Sequence, residues 1–338
     1  MSASRATLVS TLGLALLFVC VALSLAAGVI HVPLGEVLRA LRGGLEGSSD
    51  GSLSRTLVLE MRLPRGLAAA SVGAALGTAG CLLQALLRDP LASPTMIGTA
   101  QASGFGRVLG VYLGFSFASS VALAFLAATL GTLLVLYVSR ARRGFASQIV
   151  LLTGINVGML FMALIGLVQY SSRDEGQLSR MVLLLLGGLW QVSWEPLRFV
   201  LPVTLVAVVL AQFGARSLDL FSLGEANADR LGLATRRAGP AILALACLLT
   251  SLAVSIAGVI AFVGLIVPHA ARRLVGPAHA VLLPASAALG GALLVLIDCI
   301  ARTAVAPNEL PLGVLTSLVG VPLFLMLLRS MARRGAAR

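Results

Sequence analysis

Residues 279–302 read HAVLLPASAALGGALLVLIDCIAR, an apolar run interrupted near its end only by Asp298 and Arg302. About 20 apolar residues cross the hydrocarbon core of a bilayer as one helix, so this run predicts a transmembrane element. The same reading extends in both directions. Apolar stretches recur at 8–30, 64–87, 94–111, 117–139, 147–170, 194–214, 238–255, 256–270, 279–302 and 309–330. They predict an all-α polytopic membrane protein of about ten transmembrane helices, in a single domain spanning 1–338. The bulk numbers agree. Of 338 residues, 58% are hydrophobic and only 11% charged, with a mean hydropathy of +1.00. Soluble domains are about a quarter charged.

Two places depart from simple spans. The stretch 256–270 is short for a straight crossing and predicts a broken or re-entrant helix, which lipid tolerates only where protein covers the backbone. Gly258 marks where it parts from 238–255. Ahead of 194–214, the short apolar piece 181–189 predicts a partial helix. Glycines recur at small-xxx-small spacing: Gly73 and Gly77; Gly106, Gly110 and Gly114; Gly154 and Gly158. Such spacing predicts helices in close backbone contact.

Charge sets orientation and excludes chemistries. All 25 basic residues are arginine, so no P-loop with its Gly-Lys-Ser/Thr is present, nor any lysine chemistry. If ATP powers this protein, another chain hydrolyses it. With an inner N-terminus, most arginines fall in inner loops, among them Arg140, Arg142, Arg143, Arg236, Arg237, Arg272 and Arg273, and most acids fall outside. The positive-inside bias then places both termini in the cytoplasm. It also accounts for the net charge of +12 without nucleic acid, because aromatic–basic interleaving is missing. The run 8–30 after Arg5 exceeds the roughly 7–15 residues of a signal h-region and reads as a retained helix. Cys20, Cys81, Cys247 and Cys299 lie in apolar stretches without a CxxC or a nearby histidine. They predict buried thiols, no disulfide, no metal site and no cofactor. Gly47-Ser48-Ser49-Asp50-Gly51 matches a nucleophile-elbow pattern but sits on a loop tip instead of between strand and helix. Intramembrane titratable groups are nearly confined to Asp298, with His269 at an inner helix end. That scarcity argues against the rival class, an ion-coupled secondary transporter.

Two loops carry the functional signal. On the outer side, Glu60-Met61-Arg62-Leu63-Pro64-Arg65 places two arginines three apart beside a helix-initiating proline. Together with Arg302 they form a candidate docking point for carboxylates of an outer partner. Reversing Arg62 and Arg65 to glutamate is expected to weaken that docking and leave the fold intact. On the inner side, Arg88–Pro94 predicts a rigid turn with two prolines. The stretch Leu223-Gly224-Glu225-Ala226-Asn227-Ala228-Asp229-Arg230-Leu231-Gly232, in the inner loop 216–237, reads as a short helix ended by glycine. A polar stub of this kind can seat in a groove of a cytoplasmic partner.

In order and spacing, these motifs resemble the FecCD-type permease subunits of ABC importers for iron chelates, haem and cobalamin. The markers are Arg62-Leu63-Pro64-Arg65; Gly73–Leu76 with Gly80 and Gln84; Asp89–Pro94 with Ile97-Gly98; Leu152-Thr153-Gly154; Gly224-Glu225 through Leu231-Gly232; Gly258–His269 with Arg272; Leu282–Pro284; Asp298 with Ala301-Arg302; and Glu309–Gly313 with Gly320–Pro322. The resemblance implies a type II importer bundle (BtuC-like) in the bacterial inner membrane. It also implies a second permease subunit, identical or not, two cytoplasmic ATPase subunits and a soluble extracytoplasmic substrate-binding protein. It carries Arg62, Arg65 and Arg302 onto positions that meet acidic residues of the binding protein. Gly224, Glu225, Ala226, Asn227, Ala228, Asp229, Arg230, Leu231 and Gly232 fall on the coupling helices that dock on the ATPase. It implies an iron-siderophore cargo first, with haem and cobalamin as alternatives. Asp89 stands where the family usually has Asn, and Thr99–Gly106 departs from its usual Ser-x-Gly-Ala.

Overall fold

The structure is a computed structural model and describes residues 3–28, 30, 32–45, 53–140 and 147–335. Regular structure among the described residues is helical throughout. The chain begins with α1 (Ala3–Ala26), α2 (Leu34–Leu45) and α3 (Leu53–Thr56), which runs through a π-helical turn (Leu57–Arg62) into α4 (Leu63–Leu87). A 3-10 turn (Pro94–Ile97) precedes α5 (Thr99–Tyr112), α6 (Phe117–Arg140), α7 (Ser147–Tyr170), α8 (Glu175–Leu185) and α9 (Trp194–Phe213). Then follow α10 (Ala215–Ser222), α11 (Glu225–Arg230), α12 (Thr235–Ala257), α13 (Val263–Val275), α14 (His279–Thr303) and α15 (Leu312–Gly335).

Each predicted apolar stretch carries helix. Among the described residues 6 helices are long and apolar enough to cross a membrane: Leu53–Leu87, Phe117–Val138, Gln148–Tyr170, Trp194–Phe213, Thr235–Ala257 and His279–Thr303. Thr11–Ala26 and Leu312–Met326 are shorter apolar helices. α5 and α13, with 14 and 13 residues, are shorter than the roughly 20 a straight crossing takes.

α4 is the axis of the bundle, with 83% of its apolar window buried, and it packs on α14, α12, α13 and α9. Its glycines explain how. A Cβ on Gly73 would stand 2.1 Å from the Gly290 carbonyl oxygen, one on Gly77 2.4 Å from that of Ser286, and one on Gly80 1.8 Å from that of Gly264. Backbone therefore lies on backbone along one stripe, and van der Waals contact does the work that water-driven collapse does in soluble cores. Gly106 and Gly110 do the same for α5 against α6, whereas Gly114 faces open space.

The predicted break at Gly258 is present: α12 ends at Ala257, and Gly258 (φ 71°) and Phe262 (φ 66°) turn the chain into α13. A short series of backbone bonds links this break to a second interruption and the second to a third. Gly188 N donates to Ala257 O (2.8 Å), Leu312 N to Gly187 O (2.9 Å) and Gly313 N to Leu186 O (3.0 Å). Three breaks satisfy one another, as the absence of water in a bilayer requires.

Several boundaries differ from expectation. The stretch 94–111 opens as a 3-10 turn, because Pro94 cannot continue a helix from before and Gly98 (φ 78°) resets the chain before α5. The partial helix expected at 181–189 starts earlier, at Glu175, where Asp174 accepts from Gln177 N (2.7 Å) as a cap. The outer loop holds the amphipathic α2, whose Val37 and Ala40 pack with Leu25 and Val58. Gly47–Gly51 lies outside the described residues, as do His31, Arg142 and Arg143. Cys20, Cys81 and Cys247 are buried, Cys299 is partly so, and all four are free thiols.

Candidate functional site

At the end of the bundle expected to face outward, called outer below, the π turn before α4 is held by Trp194, whose Nε1 donates to Leu59 O at 2.9 Å. The turn delivers Arg62 to the last carbonyls of α1. Its Nη1 donates to Leu25 O (2.8 Å) and Ala26 O (3.1 Å), and its Nη2 to Ile30 O. A cation there faces the negative end of the helix dipole. Gly28 makes room, since a Cβ would sit 2.8 Å from Arg62 Nη2. Arg302 binds the same helix end, donating to Ala27 O (3.2 Å) and Ser24 O (3.4 Å), and its Nε lies 3.1 Å from Asp298 Oδ2.

Arg65 points the other way. Its Nε donates to Asp298 Oδ1 (3.0 Å) and Oδ2 (3.2 Å), and its Nη1 to Glu309 Oε1 (2.9 Å). Asp298 is 1% exposed and Arg65 11%, while Glu309 is open at 29%. The cluster thus joins three arginines, two carboxylates and the carbonyl end of α1. It borders a cavity of ≈ 220 Å³ lined by Glu60, Arg62, Arg65, Trp190, Arg302 and Glu309.

Arg62, Arg65 and Arg302 are therefore brought together, but not as free guanidinium groups at the surface. Arg62 and Arg302 are 7% and 5% exposed. These contacts argue against the expectation that glutamate at positions 62 and 65 leaves the fold intact. A carboxylate at 62 would face the carbonyls of α1, and one at 65 would face Asp298. The i,i+4 pair of Asp298 and Arg302 is present. Sequence reasoning missed the second partner of Asp298, Arg65, and the closing carboxylate, Glu309. The signal was there: the single deep acid of a membrane chain needs a cation.

At the opposite end, expected to face inward and called inner below, α11 is the expected short helix, with Gly224 (φ 102°) opening it and Gly232 (φ 87°) ending it, and the helix α10 before it was not expected. Ala228 is fully buried, and Asp229 Oδ1 accepts from Thr235 Oγ1 (2.6 Å) and Thr235 N (3.3 Å). Ala226, Asn227, Asp229, Arg230 and Leu231 face outward, Leu231 at 60%. Gly224 lies against Arg88 Nη1, where a Cβ would stand 3.2 Å away, and Arg88 itself is left-handed (φ 53°) in the proline turn. Glu225 Cα starts the helix that Ala228 anchors.

One link ties this stub to the membrane bundle and was not foreseen. Asp219 Oδ1 on α10 accepts from the backbone N of His279 (3.0 Å) and lies 2.6 Å from its Nδ1. Asp219 so caps the first residue of α14, whose other end holds Asp298 and Arg302. Nearby, Arg272 Nη2 donates to Gln84 Oε1 (3.3 Å), and Gln84 Nε2 to Leu265 O (3.2 Å). Among the described residues no group of three His, Cys, Asp or Glu side chains is placed to hold a metal.

Comparison with known proteins gives a consistent answer. The model of the FecCD transport family matches residues 16–330. The chain is 38% identical over 276 residues to the hemin transport system permease protein HmuU of Yersinia pestis, covering 80% of this chain and 82% of that one. It is 35% identical over 333 residues to the molybdate import system permease protein MolB of Haemophilus influenzae, covering 96% of each. A solved structure described as an inward-facing conformation of a metal-chelate type ABC transporter superimposes with a TM-score of 0.82 at 30% identity. It covers 96% of this chain and 99% of that one.

Proposed function

This chain belongs to the FecCD transport family, and we propose that it is the translocation subunit of a binding-protein-dependent ABC importer for an iron-siderophore or related metal chelate. A separate ATPase drives it from the cytoplasmic side of a bacterial inner membrane, and both termini lie on that side. The observation that carries this reading is the pairing of a FecCD match over 16–330 with a polar helical stub, α11, that presents an exposed face outside the bundle.

In this account α11 seats on the ATPase, and ATP-driven closure of the partner moves α10 and, through Asp219 and His279, the inner end of α14. A second permease subunit completes the path between the halves. At the outer face, a carboxylate of the soluble binding protein enters the ≈ 220 Å³ cavity and meets the guanidinium groups of Arg62, Arg65 and Arg302. Docking there competes with Asp298 and Glu309 for Arg65, so binding-protein arrival and rearrangement of the cluster are one event. The chain itself performs no covalent chemistry.

The test is uptake by proteoliposomes that contain this chain with its ATPase and its loaded binding protein. The expected result is uptake of a ferric siderophore that requires ATP and all three components. Uptake by this chain alone, driven by a proton or sodium gradient, would overturn the proposal.

A further inference from the structure

Two short segments run from the outer arginine cluster to the junction of interrupted helices. The first is 309–313. Glu309 lines the ≈ 220 Å³ cavity and holds Arg65 with both oxygens, Oε1 2.9 Å from Nη1 and Oε2 2.9 Å from Nη2. Leu310 N donates to Ala301 O (3.0 Å), and the segment ends where Leu312 N and Gly313 N donate to Gly187 O and Leu186 O. The second is 186–190, whose Leu189 and Trp190 line the same cavity. The two meet backbone on backbone: a Cβ on Gly313 would stand 2.4 Å from Leu186 O and 2.8 Å from Val259 O. Beyond this seam lies a larger cavity of ≈ 670 Å³, lined by Leu186, Val259, Gly313, Ser317, Leu318 and Val321 among others. Glu309 and Leu189 thus face the smaller cavity, while Gly313 and Leu186, a few residues along the same two segments, face the larger.

The two carboxylates on Arg65 are not equivalent. Asp298 is sealed and shared with Arg302, whereas Glu309 is part-exposed on the cavity. A carboxylate arriving from outside can take the place of Glu309 on Nη1 and Nη2 while Asp298 stays. Arg65 then never lacks a counter-charge, so the exchange avoids the cost of a buried lone ion, and the freed Glu309 is hydrated in the cavity mouth. Glu309 is also the residue that anchors the start of α15. That helix packs on α13 and α14 and leaves Val314 and Leu318 exposed, so few contacts hold its first turns once the anchor is gone.

We propose that Glu309 is a positioning residue, the latch of the 309–313 segment. Paired with Arg65, it keeps the seam to 186–187 shut between the two cavities. Replaced there by a carboxylate of the binding protein, it frees the start of α15 and opens the larger cavity toward the outer face. The second half of this statement rests on the smaller cavity being the docking site; the first half stands on the contacts of this chain alone.

The experiment reads access to position 317 in right-side-out membrane vesicles that hold the importer with its ATPase. Ser317→Cys puts a thiol on the wall of the larger cavity, and a membrane-impermeant maleimide is added, with the modified residues assigned by mass spectrometry. The thiol reacts as thiolate, which needs water to reach it. Without binding protein, labelling at 317 is expected to be slow with Glu309 in place and about tenfold faster with Glu309→Gln, which drops the charge and keeps the size. Loaded binding protein should raise the first rate to the second and leave the second unchanged. Cys247, buried in the core, should stay unlabelled throughout. Equal rates at 317 with Glu309 and with Glu309→Gln would overturn the latch, whatever the binding protein does. Labelling of Cys247 alongside 317 in Glu309→Gln would overturn it too, because the residue would then hold the fold and not the seam. A faster rate in Glu309→Gln with no response to binding protein would keep the latch and overturn the docking site.

Discussion

The two ends of α14 are built on opposite plans. At the outer end Asp298 is sealed between Arg65 and Arg302, and Arg62 closes the neighbouring end of α1. At the inner end α14 is tied to α10 by Asp219, which is 46% exposed, and the stub beyond it presents Leu223 and Leu231 to the outside at 59% and 60%. The outer end is a dense, desolvated lattice in which each charge depends on its neighbour. The inner end is a lightly anchored lever. Removing a partner in the first is expected to cost stability; on the proposed function, disturbing the second is expected to leave the fold standing and to weaken coupling to the ATPase.

Substitutions can break or sharpen that contrast. The largest effect is expected for Asp298→Ala, which leaves two buried arginines short of a carboxylate. A loss of about 3–5 kcal/mol is expected, read as a lowered unfolding midpoint in detergent. Gly77→Ala tests the stripe that supports the outer lattice, because the new methyl would meet the Ser286 carbonyl oxygen at 2.4 Å. Overpacking of this kind costs about 1–3 kcal/mol, and a neutral result would mean the helices are not in backbone contact. Trp194→Phe removes the bond to Leu59 O together with part of the ring that packs on the core and should cost about 1–2 kcal/mol, with the π turn loosening in hydrogen exchange before the rest of α4. The smallest change in stability is expected for Asp219→Asn, within about 0.5 kcal/mol, because asparagine keeps an Oδ1 that can accept from His279 N and caps a helix about as well as aspartate. In a reconstituted importer it should nevertheless lower uptake per ATP hydrolysed severalfold. A fall in stability comparable to that of Asp298→Ala would erase the distinction between the ends.

The helices were legible because apolar runs of bilayer length have few other readings, and the break at Gly258 because a glycine there separates two runs each too well formed to ignore. The stub was legible from its polarity and its terminal glycine. What the chain hides is partnership at a distance. Arg65 and Asp298 are separated by most of the sequence, and only the cost of a lone buried acid hints that they meet. His279 reads as the polar start of an apolar run, and nothing local ties it to Asp219. α2 is hard to read because its glycines and arginines resemble a linker in bulk composition, although Val37, Leu38, Leu41 and Leu45 recur at helical spacing. The π turn is only half legible: Pro64 lacks the N–H that Leu59 O or Glu60 O would take, but nothing local shows that Trp194, far along the chain, answers Leu59 O.

On the proposed function this chain supplies a path and receives its power through α11, and that role can be tested on its own. It is tested most directly by ATP-driven uptake in proteoliposomes holding the ATPase and binding protein, comparing wild type with Leu231→Glu. Position 231 is exposed, so the unfolding midpoint should not move. The account predicts that uptake falls by about tenfold or more, equivalent to 1.4 kcal/mol of lost docking, with the ATPase no longer co-purifying in full. Undiminished ATP-driven uptake by the Leu231→Glu protein would contradict it.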